Sequence, residues 1–175
     1  MRNKSLIVCL IWLGSMVGLV KPVNAQAPAP AKLSPDLVQF FVGHWTGSGA
    51  FANGKPIEAE ATFELSLDSV WLKYEHADKT PNSYKALSMW GVDAQTGQFL
   101  AYGFDNFHGH RVYSSNGWIK GKLILSVNEY WPKVGVVYQH FIYDKLSETS
   151  FKMTYEVSGD GITWQLGDSL VFTRS

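Results

Sequence analysis

The side chains in this sequence with chemistry to offer are five histidines and an unusual stock of aromatic rings. His108-Gly109-His110 is the tightest constellation. In a strand, the i, i+2 spacing points both imidazoles to one face, and Asp105 could add a carboxylate. Two histidines and a carboxylate suit a divalent metal with open positions. In a glycine-containing loop over Asn106–Gly109 the same histidines face solvent instead. No motif supplies a further ligand, so the sequence assigns no metal, and His108, His110 and Asp105 are simply where one would be sought. His76 and His140 each lie among apolar residues of their own parity: Val70, Leu72 and Tyr74 for the first, Val136, Tyr138 and Ile142 for the second. Either could touch a ligand or accept a proton, or be a hydrogen-bonded core histidine without a reaction. Glu58, Glu60 and Glu64 share the polar face of an alternating strand and belong to a solvated surface. There is no G-x-S-x-G elbow, Gly47-Ser48-Gly49 being too short, and no phosphate-cradling glycine loop. No catalytic residue is named.

The rings are the stronger signal. Seven tryptophans, eight tyrosines and ten phenylalanines occur, of which only Trp12 lies in the first 25 residues. They can line a cavity for an apolar or amphipathic small molecule, or they can fill a wide interior and cover its outside. Parity makes Trp45, Phe51, Tyr74, Tyr102 and Trp118 the cavity candidates, with His76 and His140 beside them.

These residues need elements to hold them, and the chain supplies mostly strands. Ser34 is a good N-cap and Pro35 fits the first helical position. Leu37, Phe40 and Phe41 follow at the i, i+3, i+4 spacing of one apolar face, and Gly43 ends the turn. Trp45, Gly47, Gly49 and Phe51 then share one parity of a first strand. Asn53-Gly54 is a hairpin signal that pairs this strand with Ile57–Leu65, where apolar and polar residues alternate without a break. Further strands are read at Val70–His76, Tyr84–Val92, Gln98–Asp105, His110–Ser115, Trp118–Glu129, Val134–Asp144, Ser150–Ser158 and Ile162–Thr173. The turns Leu67-Asp68-Ser69, Thr80-Pro81-Asn82, Asp93–Gly97, Asn116-Gly117 and Gly159-Asp160-Gly161 separate them. About ten short strands without crossover helices form an all-β antiparallel up-and-down meander. Closure into a barrel removes its two exposed edges, and at about ten strands the interior is wider than side chains alone fill.

The remaining bounds concern the ends of the chain. Arg2 and Lys4, the apolar run Leu6–Val20 and Val23-Asn24-Ala25 read as a signal peptide over residues 1–25, too short for a membrane span. Cys9 would leave with it, so the mature chain has no cysteine, no disulfide and no transmembrane segment. Removing Arg2, Lys4 and Lys21 from the 15 basic residues leaves 12 against 15 acidic ones, which argues against a nucleic-acid partner. Residues 26–33 form a proline- and alanine-rich spacer, and 34–175 one barrel domain. The periplasm is the expected compartment. Oligomeric state is not legible.

Three stretches resemble a group of lipocalin-like bacterial domains of unknown function in the calycin superfamily. They are Gly43-His44-Trp45-Thr46-Gly47; Trp90-Gly91-Val92-Asp93 with Thr96-Gly97 and Tyr102-Gly103-Phe104-Asp105; and Asp160-Gly161 with Trp164 through Leu170-Val171-Phe172-Thr173-Arg174. The resemblance implies a barrel plugged at one end by the short helix. It also implies that Gly43, Trp45, Gly47 and Arg174 are structural, with the Arg174 cation over the Trp45 ring. The chain is distantly similar to nitrobindins, ten-stranded barrels that bind haem through a late-strand histidine, but no histidine follows His140. The expected function is therefore non-catalytic binding of a small hydrophobic or amphipathic molecule, with no cofactor. The alternatives are a haem or metal enzyme using these histidines, and a structural or interaction module of the cell envelope.

Overall fold

The computed structural model describes residues 31–175, so the predicted signal peptide and most of the spacer lie outside the described residues. Helix α1 (Pro35–Phe41) begins at Ser34, whose hydroxyl accepts the Leu37 amide at 3.2 Å. Ten antiparallel strands follow: β1 (Gly43–Phe51), β2 (Pro56–Ser66), β3 (Trp71–Asp78), β4 (Lys85–Val92) and β5 (Phe99–Asp105), then β6 (His110–Ser115), β7 (Lys122–Trp131), β8 (Gly135–Ser147), β9 (Ser150–Ser158) and β10 (Gln165–Arg174). Each pairs with its neighbour in sequence, and β10 returns to β1 with Trp45 opposite Arg174 and Phe51 opposite Asp168, closing the barrel. Closure leaves no edge strand among them.

The predicted boundaries shift where backbone chemistry overrides the pattern. Leu67, Asp68 and Ser69 all take positive φ, so the β2–β3 turn is longer than read and β3 extends to Asp78. Trp118 is not in a strand: Lys120 and Gly121 turn the chain at positive φ, and β7 starts at Lys122. The Asp160 carboxylate gathers the amides of Ile162 and Thr163 at 2.8 and 2.7 Å, which holds these residues in a turn before β10. Leu33, assigned by sequence to the spacer, is buried in the core.

Helix α1 closes one end. Leu37, Phe40 and Phe41 are buried, as their spacing predicts. The Phe41 ring lies 4.9–5.9 Å from the rings of Phe63, Trp118, Phe151, Trp90 and Tyr143, mostly edge to face. Such geometry adds about 0.5–1.5 kcal/mol per pair beyond burial. The helix is too short to satisfy its own last carbonyls, and the barrel does it instead. The Trp45 indole N–H donates to the Phe41 carbonyl at 2.8 Å. Arg174 donates to the Val42 carbonyl at 2.7 Å and to the Phe40 carbonyl, with its guanidinium 4.3 Å from the Trp45 ring centre. Gly43 sits at φ +135° against Arg174, and a Cβ at Gly47 would stand 2.6 Å from the Phe172 ring. Both glycines let β1 approach β10 closely.

Candidate functional site

The opposite end is built from the same alternation and is not filled. A cavity of about 500 Å³ runs from Trp90 and Tyr143 up to the β3–β4 and β5–β6 loops, where Tyr84 and Phe107 stand. The volume lies in the range of small-molecule sites. Small inward residues help to make the space: Ala86, Ser88 and Gly103 line it where larger side chains would close it. Leu125, Phe141, Tyr143 and Met153 form the apolar wall.

Three inward positions of β3 form a polar ladder. The Tyr74 hydroxyl lies 3.1 Å from His76 Nδ1, and His76 Nε2 lies 2.8 Å from Asp78 Oδ1. An ionised Asp78 only accepts, so Nε2–H donates, and a neutral ring then accepts the Tyr74 hydroxyl proton at Nδ1. The His76 and Asp78 side chains are 4% and 5% exposed, yet every ring nitrogen is satisfied. Burial pushes the Tyr74 phenol well above its ordinary range, so it stays a protonated donor.

A second polar group comes from β5 to β9. Arg111 donates to Glu129 at 2.8 Å and to Asp105 at 3.0 Å. Gln139, 1% exposed, donates to Glu129 at 2.9 Å and accepts from the Tyr155 hydroxyl at 3.0 Å. Burial would raise Asp105, but the amides of Gly109 and Phe107, and Arg111, outweigh it and hold its carboxyl low.

Asp168 is different. Its Oδ1 is the one buried side-chain nitrogen or oxygen among the described residues without a hydrogen-bond partner. Burial, with Asp78 nearby and against the pull of His76, lifts its carboxyl to about 6. The β10–β9 register slips by one residue between Leu166 and Asp168. Asp168 thus shares the inward parity of Leu170 and Phe172, while Leu166 beyond the slip is exposed. The extra residue must be small, since a Cβ at Gly167 would stand 2.6 Å from the Tyr155 ring.

Of the residues singled out in the sequence, Phe51, Tyr74, His76 and Asp105 line this cavity. Trp45 is buried in the packed end, and Trp118 stacks on Phe40 at 5.3 Å beside the helix. Two placements by parity need correcting. Tyr102 lies on the outer face against Trp71, because Phe99, Ala101 and Gly103 take the inward parity of β5. His140 is also outside, stacked on Trp164 at 3.6 Å and 3.0 Å from Glu156, between the inward Gln139 and Phe141. The histidine cluster does not come together on one strand face: His108 sits in the β5–β6 loop at φ 68°, and Asp105 is engaged by Arg111 and loop amides. Among the described residues no group of three His, Cys, Asp or Glu is placed to hold a metal.

A haem held through histidine, as in nitrobindins, needs a free imidazole nitrogen facing the void. Neither β9 nor β10 has a histidine, and the one that lines the cavity, His76, has both nitrogens hydrogen-bonded. Sequence reasoning missed Asp168, Arg111 and Gln139. The available signal was a polar residue on an apolar parity: Asp168 with Leu170 and Phe172, Arg111 with Tyr113.

No family model matches the chain, and no curated protein matches it significantly. Among solved structures it is similar to Rv2717c from M. tuberculosis, at 12% identity and TM-score 0.55 over 82% of this chain and 99% of that one. It also matches a de novo designed fluorescence-activating β-barrel at 10% identity and TM-score 0.43, over 81% of this chain and all of the other. The first likeness is one of fold, and the chain is a closed ten-stranded antiparallel barrel with a cavity open opposite its helix.

Proposed function

We propose that this chain is an exported, non-catalytic binder of a small amphipathic molecule, working in the periplasm and holding its ligand inside the barrel. The observation that carries the reading is the cavity itself: about 500 Å³ with an apolar, aromatic wall and a few polar groups converging at its mouth. That combination of apolar bulk and sparse, fixed polarity orients a ligand by one end. Apart from Asp168, the polar groups of the mouth are largely committed to one another, which supports orienting a ligand over reacting with it. Export is supported by the sequence features of residues 1–25.

The test is a fluorescence titration with N-phenyl-1-naphthylamine, an apolar probe that brightens on leaving water. Wild-type protein is expected to bind it with one saturable site. Ala86→Phe, which puts a ring into the void, is expected to weaken binding at least about tenfold while the far-UV circular dichroism stays unchanged. Equal binding by both proteins would overturn the cavity reading. Fractionation of the source cells tests the compartment: the protein belongs in the periplasmic fraction with its first 25 residues removed, and recovery of uncleaved chain from the cytoplasm would contradict export.

A further inference from the structure

The cavity has a polarity of its own, and it is negative. Its lining carries Lys55, His76, Asp78, Asp105, Arg111 and Asp168. Arg111 is already shared between Asp105 and Glu129, and Asp78 holds His76. Among the described residues no lysine or arginine pairs with Asp168. A buried carboxylate oxygen without a donor costs free energy that a ligand donor would recover.

The two cross-strand neighbours of Asp168 say which donor. On one side it faces Phe51 of β1, on the other Tyr155 of β9, and both side chains line the cavity. A carboxylate between two aromatic rings is the chemistry that recognises an ammonium: charge pairing from the carboxylate, and attraction of the cation to the ring faces. The next inward pair along these strands is Leu170 and Met153, both buried, so polarity ends one step below Asp168. From there down the wall is mainly apolar to Trp90 and Tyr143, and the polar atoms it carries are occupied: the Ser88 hydroxyl accepts the Trp90 indole N–H at 3.1 Å, and the Tyr74 hydroxyl meets His76.

We infer that the cavity takes an amphipathic amine, its protonated nitrogen on the Asp168 carboxylate between Phe51 and Tyr155 and its hydrocarbon body toward Trp90 and Tyr143. This rests on the binding reading above and narrows it to one ligand class. The head lies at the mouth and the tail points to the helix-plugged end. Burial lifts the free Asp168 carboxyl to about 6, and a ligand ammonium supplies the ion-pair partner that Lys55, whose own ammonium stands 5.9 Å from the Phe51 ring centre, does not give it.

The experiment is displacement of bound N-phenyl-1-naphthylamine at pH 7.5 by three chains of equal length: decylamine, decanol and decanoate, each below its aggregation threshold. Decylamine is expected to displace the probe at a concentration at least tenfold below either other chain. In Asp168→Asn that advantage over decanol is expected to disappear. Asp168→Glu is expected to keep part of it. The amine-to-alcohol ratio is measured within each variant, so a general loss of stability cancels. If the probe binds but the three chains compete equally, if decanoate wins, or if the preference survives Asp168→Asn, the amine inference is overturned and the cavity reading stands. If wild-type protein fails to bind the probe at all, both fall.

Discussion

The two ends of this barrel use the same strands and nearly the same residue types, and they do opposite things with them. At the helix end Phe41, Phe63, Trp90 and Phe151 pack ring against ring across the interior. The helix carbonyls that would be orphaned there are taken by Trp45 and Arg174. At the other end Phe51, Tyr84 and Tyr155 stand around a void, and a carboxylate oxygen is left without a partner. Ring content does not decide which end is core and which is site. The difference is made by what plugs the interior: α1 brings two more rings into one end, whereas Ala86, Ser88 and Gly103 bring almost nothing into the other. One end is packed with rings and the other encloses a void beside an unpartnered carboxylate oxygen, a division that mutation can break.

The largest effect should come from the plug. Phe41→Ala is expected to cost about 3–5 kcal/mol in urea unfolding and to lower Tm by about 10 °C or more. Phe107, more than half exposed at the mouth, should cost less than about 1 kcal/mol when changed to Ala. Similar losses from the two would abolish the distinction between the ends. Next comes Arg174→Ala, which removes two charge-assisted hydrogen bonds and the contact over Trp45. It is expected to cost about 2–4 kcal/mol, and Arg174→Lys should recover only part of it.

At the mouth the sign reverses. The Asp168 carboxyl is held at about 6 in the folded state, above its ordinary 3.8. The folded protein therefore binds more protons than the unfolded chain between about pH 4 and 6, and this group lowers stability as pH rises through that window. Tyr74, His76 and Asp78 on β3, Tyr84 in the β3–β4 loop and Tyr155 on β9 are the titratable groups coupled to it. Asp168→Asn is expected to raise stability by about 2–3 kcal/mol at pH 8, and by little at pH 3.5. A destabilised variant at pH 8 would mean that Asp168 holds the fold rather than a ligand. Smallest of all, His140→Ala on the outer face should change stability by less than about 1 kcal/mol and probe binding not at all.

Much of the packed end was legible in the sequence because its signals are local. Pro35, the spacing of Leu37, Phe40 and Phe41, and the unbroken alternation of β2 each specify an element by themselves. Trp45 and Arg174 were paired only through resemblance to a known group of barrels, and the geometry shows why the pairing holds: both serve the helix carbonyls. The mouth was harder, for a physical reason. β5 carries large apolar side chains on both parities, with Phe99 buried on one and Leu100 and Tyr102 half-buried on the other, so alternation has nothing to choose between. On β8 the inward residue is the polar Gln139 and its neighbour His140 is outside, an inversion made possible by the hydrogen bonds Gln139 finds across the interior. The slip at Gly167 reverses parity within one strand, and no periodicity argument survives it.

The binding end is tested most directly by a crystal structure of the protein grown with N-phenyl-1-naphthylamine. Density for the probe is expected inside the barrel, against Tyr143 and Met153 with its edge toward Tyr155, and the helix end unchanged. Density confined to the outer surface, or side chains collapsed across the space between Ser88 and Leu170, would contradict the assignment of this interior as a binding site.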